Sequence, residues 1–160
     1  MICFPELIED GIFAAIAAIG FASISNPPRR IFPFCAGIAA AGHMTRYLLM
    51  NVAGYHIILS GFVASLVIGV LALPAARRTR VPVECMSFPA LLPMVPGMYA
   101  YRTVQSLVKC LGCTAEPEFM HYMYLLKSNW MTCILTMIAM VLGVTLPVLL
   151  FNRHYFKAIR

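Results

Sequence analysis

Two short stretches stand apart from an otherwise apolar sequence. The first is Gly42-His43-Met44-Thr45-Arg46. His43 and Arg46 are three residues apart and share one face of a helix. They combine a permanent cation with an imidazole that titrates near neutrality, a pairing suited to holding an anion and passing on a proton. The second stretch runs from Phe88 to Arg102, with Pro89, Pro93 and Pro96 followed at once by Gly97. Each proline removes an amide donor and crowds the carbonyl four residues back, so a helix must break here. A half-helix starting near Gly97 presents the amides of Met98, Tyr99 and Ala100 and the positive end of its dipole, which together suit a carboxylate. Arg102 adds a full charge with bidentate geometry, and Tyr99 and Tyr101 add hydroxyls. The candidate substrate-binding set is therefore His43, Arg46, Pro96, Gly97, Met98, Tyr99, Tyr101 and Arg102, with His43 as the proton-coupling candidate.

The elements that must hold these residues follow from composition. Of 160 residues, 61% are hydrophobic and only 11% charged, against about 25% charged in an ordinary soluble domain. Mean hydropathy is +0.84. Too few polar side chains exist to cover a soluble globule, and the charges fall in clusters between long uncharged runs, so the expected fold is an all-α, polytopic membrane protein. At about 20 residues per crossing the length accommodates five spans and no separate catalytic or nucleotide-binding domain. The runs predict spans at roughly 7–25, 31–50, 55–76, 85–109 and 128–151, one transmembrane domain over 1–160, the fourth span broken by its prolines and Gly97. Arg29/Arg30, Arg77/Arg78/Arg80 and Arg153/Lys157/Arg160 fall on one side. Glu6/Glu9/Asp10, the turn near Asn51 and a 110–127 connection with Glu116 and Glu118 fall on the other. By the positive-inside bias the N-terminus is out and the C-terminus in. The N-terminal acids take the place of a signal peptide's basic region, so the first span is expected to be its own insertion signal. The net charge of +6 thus marks topology; no extended basic patch for nucleic acid is present.

This frame places the chemistry in depth. With α-helical rise, Arg46 lies about 6 Å and His43 about 11 Å inside the outer boundary, and Gly97 about 18 Å into its span, near mid-bilayer. A charge deep in a span costs at least ~2.5 kcal/mol, and backbone freed by a break costs several more unless buried in protein or lining water. Both stretches should therefore face an interior cavity.

Small residues supply the packing. Ala14, Ala18 and Ala22 on the first span, Ala36/Ala40 and Gly37/Ala41 on the second, and Gly61, Ser65 and Gly69 on the third form rows that let helices approach closely. Trp130, Tyr122, Tyr124 and Tyr155, with Lys109, Lys127, Arg153, His121 and His154, suit membrane boundaries. Thr132 and Thr136 are candidates to add hydroxyls to a cavity, although such residues more often bond their own helix. Of six cysteines (Cys3, Cys35, Cys85, Cys110, Cys113, Cys133), only Cys110-Leu-Gly-Cys113 has chemical spacing; a lone pair of this kind lacks the partner pair of a zinc site but suits disulfide exchange. No hydrolase signature is present, and neither a metal nor a cofactor is expected.

Asn26-Pro-Pro-Arg29-Arg30, Gly42-His43-x-x-Arg46 and Pro93-Met-Val-Pro96-Gly97-x-x-Ala100-Tyr101, in this order, resemble the small membrane subunit of the threonine/serine exporter (ThrE) family, of the YjjB type. The resemblance implies a multi-pass protein of the bacterial inner membrane that is half of an exporter, working with a larger ThrE-type membrane subunit in a homo- or hetero-oligomer. It also implies a small carboxylate substrate: succinate for the split type, threonine or serine for the fused type. The alternatives are a membrane thiol oxidoreductase using Cys110 and Cys113, and a scaffold subunit that transports nothing.

Overall fold

The computed structural model describes residues 4–151. Cys3, Arg153, His154, Tyr155, Lys157 and Arg160, assigned above to flanks and anchors, lie outside that range. The described residues are helical almost throughout, with no strand among them. In chain order they form α1 (Phe4–Ile24), α2 (Phe32–Asn51), α3 (Ile57–Thr79), α4 (Glu84–Leu91), a 3-10 turn at Leu92–Met94, α5 (Gly97–Gly112) and α6 (Glu116–Phe151).

Local chemistry sets these boundaries. Asn26 takes a left-handed φ of 45°, and Pro27-Pro28 cannot continue α1. Arg80, left-handed at φ 54°, ends α3 by donating its amide to the Ala76 carbonyl. Three helical stretches are long and apolar enough to cross a membrane: Pro5–Ile24, Ile57–Thr79 and Glu116–Phe151. At 20 residues α2 is as long as the first of these, but His43, Thr45, Arg46 and Tyr47 make it more polar. The fourth predicted span is divided, as its prolines require, into α4 of 8 residues and α5 of 16.

One boundary departs from expectation. The sequence places a long connection over 110–127, whereas α5 runs to Gly112 and α6 already begins at Glu116. Pro117 fits a helix's first turn, and Glu116 and Glu118 complement its dipole. No glycine or proline follows until Gly143, so nothing stops the helix, and its polar residues are carried on helical turns instead of a loop.

The chain forms two compact bodies: residues up to Met94 together with those from Ala139 onward, and Val95–Ile138. In the first body α1 and α2 pair antiparallel. Ala14, Ala18 and Ala22 are all buried, as their spacing predicts. On α2 the buried face is Cys35, Ile38, Ala39, Gly42 and His43, while Gly37 is exposed and Ala36, Ala40 and Ala41 are only partly covered. The expected rows are thus displaced. The interior face of α2 follows His43, because steps of four back from it lead to Ala39 and Cys35.

On α3 the predicted row is buried, with Ser60, Gly61, Ala64, Ser65, Ile68, Gly69 and Ala72 all inside. Two glycines here allow backbone contact with the C-terminal part of α6. A Cβ added at Gly69 would stand 2.7 Å from the Val144 carbonyl, and one at Gly143 would stand 2.5 Å from the Phe62 carbonyl. In lipid such close approach supplies the van der Waals contact that apolar burial cannot. In the second body, α5 and the N-terminal part of α6 form a helical hairpin with Ser106, Cys110, Cys133 and Thr136 buried.

Candidate functional site

His43 lies a little over two turns from the end of α2, with 5% of its surface exposed. Its Nδ1 is 3.2 Å from Oδ2 of Asp10, on α1. One turn earlier on α1 and one turn later on α2, the Tyr47 hydroxyl donates to Oε2 of Glu6 at 2.6 Å. The two pairs fix the register of the helices. Continuing it in steps of four brings Ala14, Ala18 and Ala22 level with Ala39, Cys35 and Ile31, all of them buried.

Arg46 turns toward the broken segment. Its Nη1 donates to the Met94 carbonyl at 2.9 Å. In an unbroken helix that carbonyl would accept from the amide of Met98, four residues on; the break at Pro96 withdraws that partner and the guanidinium replaces it. The Pro93 backbone also interacts with the His43 ring, as does the charge of Arg46, yet among the described residues none completes a hydrogen bond to Nε2. In the tautomer that donates from Nδ1 to Asp10, Nε2 is the atom at which the ring takes up a proton.

The cluster is therefore Asp10, His43 and Arg46, gathered at the carbonyl end of the first half of the broken segment. Cations suit that end of a helix. This modifies the expectation for Arg46, one of whose nitrogens is engaged by backbone. It also adds Asp10, which the sequence reading placed at a flank as a topology marker. A signal for it exists: Glu6 and Asp10 are four apart, as are His43 and Tyr47, and two such rows match when neighbouring helices run antiparallel.

The remaining predicted site residues belong to the second body. Pro96 is the N-cap of α5. The expected array of three free amides at Met98, Tyr99 and Ala100 is reduced, because Tyr99 and Ala100 both donate to the Pro96 carbonyl, at 3.1 and 3.3 Å, and Gly97 donates to Val95 at 2.7 Å. An N-cap carbonyl accepts the first bonds of its own helix, which leaves Met98 as the first-turn amide without an acceptor among the described residues. Gly97, Met98, Tyr101 and Arg102 are exposed and Tyr99 partly so. Cys110 and Cys113 are free thiols, Cys110 buried with its sulfur 3.9 Å from the Phe119 carbonyl. Thr136 bonds the Thr132 carbonyl of its own helix at 2.7 Å.

Apolar helices of membrane-crossing length, with a buried histidine and half-buried acidic and basic partners beside a helix break, are features of membrane transporters. The chain belongs to the family described as Threonine/Serine exporter, ThrE, whose model matches residues 10–150. It is also 34% identical, over 149 residues, to an uncharacterized protein of Haemophilus influenzae; the match covers 93% of this chain and 49% of that protein. The chain thus spans about half the length of this relative. No solved structure matches.

Proposed function

We propose that this chain is a membrane subunit of a secondary exporter of small carboxylates, a succinate-like dicarboxylate or threonine and serine. In this reading it crosses the bacterial inner membrane five times, N-terminus out and C-terminus in, by α1, α2, α3, the α4–α5 pair and α6. It works with a second membrane subunit. The doubled length of the Haemophilus relative supports a working unit larger than this chain.

The observation that carries the reading is the Asp10–His43–Arg46 cluster against Pro93 and Met94. A buried imidazole with one nitrogen held by a carboxylate and the other without a hydrogen-bond partner among the described residues is equipped to accept a proton. Its position at the break links that event to the segment whose backbone a substrate would meet. Arg46 keeps further N–H donors beyond the one spent on Met94, enough to hold a carboxylate. An inside-negative potential favours exit of an anion by ~2.3 kcal/mol per charge per 100 mV. A zwitterion gains nothing from that field and needs its own gradient or a proton carried through His43.

The test is efflux of radiolabelled succinate and threonine from cells lacking this chain and complemented with wild type or Arg46→Gln. Export restored by wild type and not by the variant, at equal membrane abundance, supports the reading; equal export by both refutes the role of the cluster.

A further inference from the structure

The second body holds a polar seam that the cluster above does not use. On α5, Arg102, Gln105, Ser106 and Lys109 recur at steps of three and four and share one face. On α6, Tyr122, Ser128 and Asn129 face them across a cavity of about 390 Å³, within the range of roughly 300–1,000 Å³ typical of small-molecule sites. The other side of α5 is apolar and exposed, with Met98, Tyr101, Val104, Val108 and Leu111.

The charge in this seam is one-sided. Two cations line it, no carboxylate does, and among the described residues neither cation forms an ion pair. The Lys109 ammonium lies 5.2 Å from the centre of the Tyr122 ring, a contact that orients the cation without neutralising it. Asn129 is held by a bond from its Nδ2 to the Leu125 carbonyl at 2.7 Å, and the Ser106 hydroxyl is bonded to the Arg102 carbonyl at 2.8 Å. The floor of the seam is thus fixed while its cations stay available. Within a membrane span, such charges require either water or an anion.

We propose that the α5–α6 seam is a second oxyanion site, in which Arg102 and Lys109 take the carboxylate of the exported solute. The inference rests on the exporter reading for the identity of that solute. The same chemistry accepts the phosphate of an anionic lipid headgroup, and the experiment separates the two sources.

Trp130 is the chain's single tryptophan and follows Asn129 on α6, so its emission is a local reporter. The full chain is placed in nanodiscs of phosphatidylcholine, or of phosphatidylcholine with phosphatidylglycerol, and titrated with succinate. The expected result is a saturable change in Trp130 emission whose midpoint rises at least tenfold in the R102Q/K109Q variant and returns toward wild type in R102K/K109R. A wild-type midpoint that rises with phosphatidylglycerol content, and ceases to do so in R102Q/K109Q, assigns the seam to a headgroup phosphate. A midpoint unmoved by R102Q/K109Q in both lipids, or no saturable response to either anion, overturns the proposal. Should R102Q/K109Q fail to fold, Ser128→Asp places a carboxylate in the seam; it must raise the midpoint at least tenfold, and an unchanged midpoint again overturns the site. The readout involves no transport. A chain that binds succinate through the seam and exports none refutes the exporter reading alone, and one that exports while its midpoint ignores both cations refutes only the seam.

Discussion

The guanidinium of Arg46 donates to the Met94 carbonyl at 2.9 Å, joining α2 to the point where the fourth segment stops being a helix. Two costs that are separately hard to meet in lipid, a charge and an unsatisfied carbonyl, are met by each other. The arrangement explains why a proline-rich break and a half-buried arginine occur in the same chain. Neither is stable away from water without a partner.

Replacing Arg46 therefore has two separable effects. Arg46→Leu, which has no donor, should destabilise the chain in nanodiscs by about 1–3 kcal/mol, the range for a buried acceptor left unmatched, and should abolish efflux. Arg46→Lys keeps a donor for Met94 but loses the planar fork, so most of the stability should return without most of the transport. Thermal unfolding measured beside efflux distinguishes the two.

Asp10 should matter as much as His43. Asp10→Ala removes the acceptor at Nδ1 and should reduce efflux driven by an imposed proton gradient to the level seen without one, while the protein still assembles. Glu9→Ala, on an exposed position of the same helix, should leave the gradient response intact. Parallel flux measurements on the two variants check the distinction.

Helix contact should be most sensitive where backbones meet. Gly143→Ala and Gly69→Ala drive a methyl group to within 2.5 Å of the Phe62 carbonyl and 2.7 Å of the Val144 carbonyl, and each should cost about 1–3 kcal/mol as overpacking. Gly20→Ala, with nothing within 4 Å of the added atom, should be neutral or slightly stabilising as a helix substitution. Unfolding midpoints in one detergent series test the contrast.

The proposed orientation makes its own prediction. In a chain carrying Cys113 as its only cysteine, a membrane-impermeant maleimide should label intact cells. With Arg80→Cys as the only cysteine, labelling should require permeabilised cells. The reverse pattern contradicts the N-out, C-in arrangement.

Most helices could be read from the chain because lipid imposes a simple rule on sequence. The predicted spans overlap α1, α2, α3, the α4–α5 pair and the C-terminal two-thirds of α6, and the proline spacing located the break at Pro96-Gly97. Relations between helices were less legible. Asp10 resembled its neighbours Glu6 and Glu9, and only the α1–α2 register distinguishes an acid facing His43 from an acid facing water. The free amides assigned to Tyr99 and Ala100 failed for a local reason, since the Pro96 carbonyl accepts both. On α2 small residues occur on more than one face, so their spacing did not reveal which row faces inward; the buried His43 did.

The most direct measurement is radiolabelled succinate flux from proteoliposomes containing this chain and the proposed second membrane subunit, with and without a proton gradient, for wild type and His43→Gln. The expected result is flux that the gradient stimulates in wild type and leaves unchanged in the variant. Equal stimulation in both contradicts the assignment of proton coupling to His43.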